Sequence, residues 1–199
     1  MNQLSVSYQG QRMTPSEKQA LVDLEALVKE PIPVVSLIDS FKFGFIPIRN
    51  HVARLGVPNK GLIRLPDSFC NLTLLQELTL FGNRLNDLPN AFGNLTSLRF
   101  LNLVRNELKT LPDSLSKLES LQILYLNDNQ LKKLPPSFGD LALLQRLNLR
   151  NNGLETLPPS FLELNRLEFL WIENNPLDDI SREILKGLEA RGVNIDIKL

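Results

Sequence analysis

The chain has 199 residues, with 22 basic and 22 acidic side chains, so its formal net charge is zero and nothing in its charge favours nucleic acid or an anionic membrane as a general partner. Hydrophobic residues make up 43%, an ordinary globular share, and no run of about 18 apolar residues is present to span a bilayer. The lone cysteine, Cys70, excludes a disulfide framework and suits a reducing compartment; with no basic, apolar leader over Met1 to Gly10, the expected location is cytoplasmic.

Residues 1–13 are expected to be loose. A helix over about 15–30 is predicted next. Thr14 is a capping residue, Pro15 suits the first helical position, and Glu17 completes a capping box. Leu21, Leu24, Leu27 and Val28 form an apolar stripe, and Pro31 and Pro33 end the helix. Phe41, Phe43 and Phe45 alternate with Lys42 and Gly44, which predicts a strand over Phe41 to Ile48 that turns back at Arg49-Asn50-His51 and seals a sheet edge. Its aromatic residues are read as core of an N-terminal cap spanning residues 1–51.

From Leu72 onward the chain repeats every 23 residues. Leu72, Leu75, Leu78, Leu80, Asn83, Leu85, Leu88, Pro89 and Phe92 return as Leu95, Leu98, Leu101, Leu103, Asn106, Leu108, Leu111, Pro112 and Leu115. Copies follow from Leu118, Leu141 and Leu164, the last stopping at Ile180. A degenerate copy precedes them over Val52, Leu55, Val57, Leu62, Leu65, Pro66 and Phe69, with Lys60 at the asparagine position and Asn59 the expected substitute. Residues 52–180 are therefore read as one degenerate plus five repeats. Within each, alternation such as Glu77 out, Leu78 in, Thr79 out, Leu80 in predicts one strand per repeat, and strands of constant polarity make a parallel sheet. The proline-bearing return segment is too long for a hairpin; a Ser or Asp after the proline is expected to cap one short helical turn. Asn83, Asn106, Asn129, Asn152 and Asn175 are read as a structural ladder, each buried amide satisfying backbone groups of adjacent coils. The Asn-Leu-Thr triplets at Asn71 and Asn94 belong to the repeat consensus rather than to glycosylation. Residues 181–199 read as a C-terminal cap: a helix over Ser181 to Arg191 with Ile184, Leu185 and Leu188 on its apolar face, stopped by Gly192, then a short strand around Val193, Ile195 and Ile197.

These residues resemble the leucine-rich repeat family, whose signature is L-x-x-L-x-L-x-x-N-x-L. The Leu-Pro-x-Ser-Phe-x-x-Leu form is similar to the intracellular repeats of Ras-suppressor-type and plant Ras-group-related proteins. The resemblance covers roughly Val52 to Ile180. It implies an α/β solenoid, a right-handed curved coil with a parallel sheet on the concave face and helical caps at both ends. It also implies a surface for binding rather than a pocket for chemistry. The residues agree. His51 is the one histidine and stands at a predicted turn; Cys70 has no partner motif; no phosphate loop or zinc spacing is present. Asp178-Asp179 is read as a helix cap. No catalytic group, cofactor or metal is expected.

The outward strand positions form three lanes. The first holds Arg54, Glu77, Phe100, Ile123, Arg146 and Phe169; the second Gly56, Thr79, Asn102, Tyr125, Asn148 and Trp171; the third Pro58, Phe81, Val104, Asn127, Arg150 and Glu173, with Arg105 and Asp128 beyond. A sheet facing only water has little reason to display so many apolar and aromatic groups. Phe100, Ile123 and Phe169 flank the strand start and are read either as contact residues or as half-buried packing. Tyr125 and Trp171, mid-strand, are assigned to binding, with Arg146 and Arg150 for polar specificity. The expected partner surface is Phe81, Phe100, Val104, Arg105, Ile123, Tyr125, Asn127, Arg146, Asn148, Arg150, Phe169, Trp171 and Glu173. The expected function is non-catalytic recognition of a protein or peptide, as a signalling scaffold, by a monomer. The alternative is a regulatory or substrate-receptor subunit of a separate enzyme, such as a small GTPase or a ubiquitin-pathway complex.

Overall fold

Leucines that recur at a fixed spacing bury one strand face after another, and the computed structural model, which describes residues 6–39 and 41–197, shows the result as one continuous stack. The elements in chain order are β1 (Val6–Tyr8), β2 (Gln11–Met13), α1 (Pro15–Val28), β3 (Gly44–Ile48), β4 (His51–Gly56), β5 (Glu77–Thr79), β6 (Phe100–Asn102), β7 (Ile123–Tyr125), β8 (Arg146–Asn148), β9 (Phe169–Trp171), α2 (Asp179–Ala190) and β10 (Asn194–Ile195). Strands β3 to β10 form one sheet in chain order, and every neighbouring pair from β4 to β10 is parallel. The register is the 23-residue one: Leu55, Leu78, Leu101, Leu124, Leu147 and Leu170 lie side by side, all fully buried. Each such side chain contributes about 2 kcal/mol by leaving water.

The return segments carry short 3₁₀ turns at Asp67–Asn71, Phe92–Asn94, Asp113–Lys117, Phe138–Asp140 and Pro159–Glu163. Strands stack about 4.8 Å apart, and the bulkier turns need more room, so the sheet is the concave side. Phe69, Phe92, Leu115, Phe138 and Phe161 fill the outer core; Phe138 and Phe161 stack at 5.8 Å. The expected Ser or Asp caps do not form. The residue before the turn is Pro66, Pro112 or Pro158, or else Ala91 or Ser137, and none makes a side-chain cap bond. A turn this short leaves few orphan donors. Ser114 and Ser160 instead accept from the Gly93 and Gly139 amides one coil back. Those glycines are required by space, since a Cβ would sit 2.1 Å and 1.9 Å from the Ser114 and Ser160 carbonyl oxygens.

The asparagine ladder is present. Asn106 Oδ1 accepts from Leu85 N at 3.1 Å, while its Nδ2 donates to the Leu80 and Leu103 carbonyls at 3.0 Å each. Asn83, Asn129, Asn152 and Asn175 repeat the pattern. Asn59 does not substitute for the missing member. It occupies the exposed turn position with φ 53°, and no parallel coil precedes it to be bridged. Lys60, at the ladder position, instead pairs with Glu30 (2.6 Å) and lies over the Phe43 ring (4.0 Å).

At the N-terminal end α1 begins with the expected capping box. Glu17 is 3% exposed and does more than cap: its second oxygen accepts from Val52 N (3.1 Å), and His51 Nδ1 lies 3.2 Å from the first. The helix ends at Lys29 in the left-handed conformation, just before the prolines. Strand β3 pairs antiparallel with β4 through a two-residue turn, Arg49-Asn50, in which both residues have positive φ, as a hairpin of this length prefers.

Two expectations fail here. The strand starts at Gly44 rather than Phe41; Phe45 joins the core, Phe43 packs against it half-buried, and Phe41 is 70% exposed. Nor are residues 6–13 loose. Strands β1 and β2 form an antiparallel hairpin across Gln9-Gly10, anchored by buried Tyr8 and Met13, and the Tyr8 hydroxyl donates to Glu25. The rest of that expectation, residues 1–5, lies outside the described residues, as does Lys198 of the last predicted strand.

At the other end α2 buries Ile184, Leu185 and Leu188, and Asp178 caps it by accepting from Ser181 N at 2.8 Å. The Ser181 hydroxyl, and after it that backbone bond, hold the Asp178 carboxyl below its ordinary pKa. β10 adds one last parallel strand beside β9.

Replacing Asn106 by alanine strands Leu85 N and the Leu80 and Leu103 carbonyls. The expected loss is about 3 kcal/mol, read as a fall in the urea unfolding midpoint. Asn175→Ala, at a half-buried rung, is expected to cost less.

Candidate functional site

The registered strands place matching side chains in lanes, as the repeat spacing predicts. Phe100, Ile123, Arg146 and Phe169 are Cα partners in turn, and so are Asn102, Tyr125, Asn148 and Trp171. Tyr125 and Trp171 therefore share one lane on one face. Among the residues expected to contact a partner, Arg105, Arg146 and Glu173 are exposed and the rest half-buried. For Phe100, Ile123 and Phe169, half-burial is thus the observed state.

The aromatic groups pair along the face. Phe100 meets Tyr125 edge-on (5.8 Å, 88°), and Phe169 stacks on Trp171 (5.9 Å, 12°) with the Arg146 guanidinium 5.5 Å from the Phe169 ring. Offset and edge-on pairs of this kind, and a cation over a ring, hold side chains in place while leaving their outer surfaces free. Such preordering lowers the entropy lost when a partner settles on them.

Several positions are committed within the molecule. Arg150 pairs with Asp196 from the segment after β10, and its own backbone N donates to Asn148 Oδ1. Asn127 donates to Asp128. Phe81 lies between the edge of Phe41 (5.1 Å) and the Arg105 guanidinium (5.6 Å). Thr79 and Asn102 fall in an outward lane yet are 1% and 3% exposed. The segment ahead of β3 lies over the first of these strands, beside Gly56 and Thr79. The Lys42 carbonyl oxygen would be 2.1 Å from a Cβ on Gly56, so only glycine admits it there. Sequence reasoning missed this covering. Its one signal was Gly56 itself, the single residue without a side chain in a lane that otherwise carries one.

Beside the covering segment runs a groove of about 520 Å³, lined by Ile38, Asp39, Arg54, Gln76, Glu77, Leu78, Thr79, Arg99, Phe100, Gln122 and Ile123. Arg54 Nε lies 3.3 Å from Glu77 Oε1 without hydrogen-bond alignment, and Thr79 Oγ1 is buried with no hydrogen-bond partner among the described residues. Arg99, ahead of β6, was not among the sequence candidates; it lies one place before the predicted lanes.

Among the described residues no group of three or more His, Cys, Asp or Glu side chains is placed to hold a metal, and no helix is long and apolar enough to cross a membrane. Cys70 is buried behind Phe69, far from the sheet face in the fold, and burial together with the Asp67 charge pushes its thiol up to about 11. His51 is occupied with Glu17.

Family models for the leucine-rich repeat match residues 74–95 and 86–131, and a two-copy repeat model matches 119–159 and 142–187. The chain belongs to the leucine-rich repeat family. Such repeats are in general protein–protein interaction modules. A leucine-rich repeat protein of Leptospira interrogans superposes with a TM-score of 0.65 at 27% identity, over 84% of this chain and 50% of that one. An internalin of Listeria monocytogenes gives 0.63 at 25% identity, over 72% of this chain and 40% of its own. The leucine-rich repeat domain of the type III effector XopL gives 0.56 at 30% identity, over 63% and 45%. The chain thus spans half or less of each of these solved proteins. A search of the curated proteins finds no match.

Thiolate supply governs the reactivity of Cys70. With its pKa near 11, the thiol is expected to react with a disulfide reagent at pH 8 about 100-fold more slowly in the folded chain than in urea. Equal rates would show the site to be open.

Proposed function

We propose that this protein is a non-catalytic recognition module whose partner, a protein or peptide, lies across the concave sheet over β6 to β9. One observation carries the reading: two clusters of half-exposed aromatic and apolar side chains, Phe100 with Ile123 and Tyr125, and Phe169 with Trp171, on either side of Arg146 and Asn148 of β8, with the aromatic rings paired inside each cluster, on a sheet whose opposite face is already full. Apolar area of this kind on one face of a soluble domain marks contact surfaces, and Tyr, Trp and Arg are the types that dominate binding energy. Val104, Asn127 and Glu173 form the polar and aliphatic surround, and Asn148 lies between Tyr125 and Trp171. Arg150 acts through its pairing with Asp196, as a fixed part of the rim.

The restricted span supports the same reading. Towards β4 the face is occupied by the chain's own segment and by the Arg54–Glu77 pair. Towards β10 it is bounded by Asp196. The free surface between carries the two clusters. The role is that of a scaffold that holds a partner, and a monomer suffices for it.

Trp171 is the chain's one tryptophan, so occupancy of the face is expected to shift its emission to shorter wavelength. Tyr125→Ala and Trp171→Ala, each with an unchanged circular dichroism spectrum, are expected to lose capture of a partner that the parent chain retains by at least about tenfold, the scale of a hot-spot residue. Retention of that partner by both variants would place the binding surface elsewhere.

A further inference from the structure

The turn after each strand puts one residue into the left-handed region: Asn59 (φ 53°), Gly82 (68°), Arg105 (55°), Asp128 (58°), Asn151 (53°) and Asn174 (60°). Glycine, asparagine and aspartate tolerate that conformation; other L-residues adopt it at a cost. Five of the six positions obey. Arg105 is the exception.

Its neighbours gain something local that it does not. Asn174 donates to Asn151 at 2.8 Å, and Asn151 to Asp128 at 2.6 Å, so three successive turns are laced together by side chains. The Arg105 side chain stays out of that chain, exposed, with its guanidinium over Phe81. A residue held in a strained backbone conformation, with no partner besides that ring contact, is the kind found at recognition sites.

The charges of the face point to what it would recognise. Two of its carboxylates are paired with arginines, Glu77 with Arg54 and Asp196 with Arg150, while Asp128 and Asp39 accept only from neutral amides and keep their charge. Arg99, Arg105 and Arg146 have no carboxylate at ion-pair distance among the described residues. Glu168 and Glu173 are also unmatched, and both flank β9 at the far margin. Around Phe100 and Tyr125 the three unpaired guanidiniums stand against the carboxylates of Asp39 and Asp128, a surplus of one positive charge.

We infer that the face between β5 and β8 takes an acidic protein segment, Asp and Glu interleaved with apolar side chains, and that Arg105 is the residue that reads its charge. This rests on the sheet face being the binding surface. The guanidinium offers planar, two-pronged hydrogen bonding to a carboxylate, and the aromatic cluster beside it takes the apolar positions. Complementary charge of this sort sets specificity and approach rate more than total affinity.

The test is selection of a random phage-displayed peptide library on the full chain, followed by titration of the best synthetic peptide against the parent chain, Arg105→Asn and Trp171→Ala. Expected are peptides rich in Asp and Glu around an aromatic residue. Their affinity should fall with salt and weaken about tenfold in Arg105→Asn, the scale of one charge-assisted contact. The same variant, carrying the residue type found at Asn59, Asn151 and Asn174, is expected to melt about 2–4 °C higher, as relief of backbone strain predicts for a chain of this size.

A library that yields no binder, peptides without acidic enrichment, or affinity and melting temperature unchanged in Arg105→Asn would overturn the inference. So would an oligodeoxythymidine competitor that displaces the peptide at equal concentration, which would assign the cations to phosphate. Binding that Trp171→Ala abolishes and Arg105→Asn spares leaves the face standing and removes only the acidic reading. Binding that neither change disturbs removes the face as well.

Discussion

A single amide per coil joins each turn of the stack to the one before it. Its oxygen takes a donor from the preceding coil, and its nitrogen reaches one carbonyl of that coil and one of its own, all near 3.0 Å. These backbone groups lie where the strand has ended and no sheet ladder is left to pair them. Unpaired and buried, each would cost about 1–3 kcal/mol. Asparagine is suited to the position because one short side chain both donates and accepts. A one-residue slip between coils would break the set, so the amide fixes the 23-residue register. The lanes on the sheet face follow from that register and from nothing else.

A ladder must stop, and the two ends stop it differently. At the start, Glu17 from α1 accepts the Val52 amide, and β3 returns antiparallel, so no earlier rung is needed. Lys60 can therefore replace asparagine and spend its charge on Glu30. At the finish, Asp196 takes the Ile172 amide at 2.7 Å, and the Ser181 hydroxyl takes the Leu157 amide at 2.8 Å. Carboxylate and hydroxyl oxygens close donors that another coil would otherwise have closed. The helices exclude water from the terminal leucines while these polar atoms settle the backbone.

Whatever depends on spacing was legible in the sequence. The leucine columns, the asparagine rungs, the capping box at Thr14 and Glu17 and the shared lane of Tyr125 and Trp171 all follow from position along the chain. What depends on two distant segments meeting was not. Nothing near Arg150 announces Asp196, and nothing in the alternation of Phe41 and Phe43 says that this stretch leaves the sheet plane and crosses over Gly56. The β1–β2 hairpin was hidden for a related reason. Its strands are three residues each, too short for a pattern of two to register, and its order comes from Tyr8 and Met13 reaching a core built by residues far along the chain. The Ser and Asp positions after the prolines were misjudged because a 3₁₀ turn resembles a helix start in sequence but lacks the run of free amides that a cap would satisfy.

This division of labour explains why the composition of the outer face is informative. In most domains a half-buried aromatic side chain serves packing and surface at once, and its presence argues for neither. Here the inward positions and the amide rungs supply the cohesion, and the coils would stack with small polar groups at every outward position. Thr79 shows what such a position holds where the chain covers itself. Where it does not, from Phe100 to Trp171, the side chains become large, aromatic and cationic. Exposed apolar area costs solubility, and on the proposed reading the sheet carries it for the contact it makes with a partner.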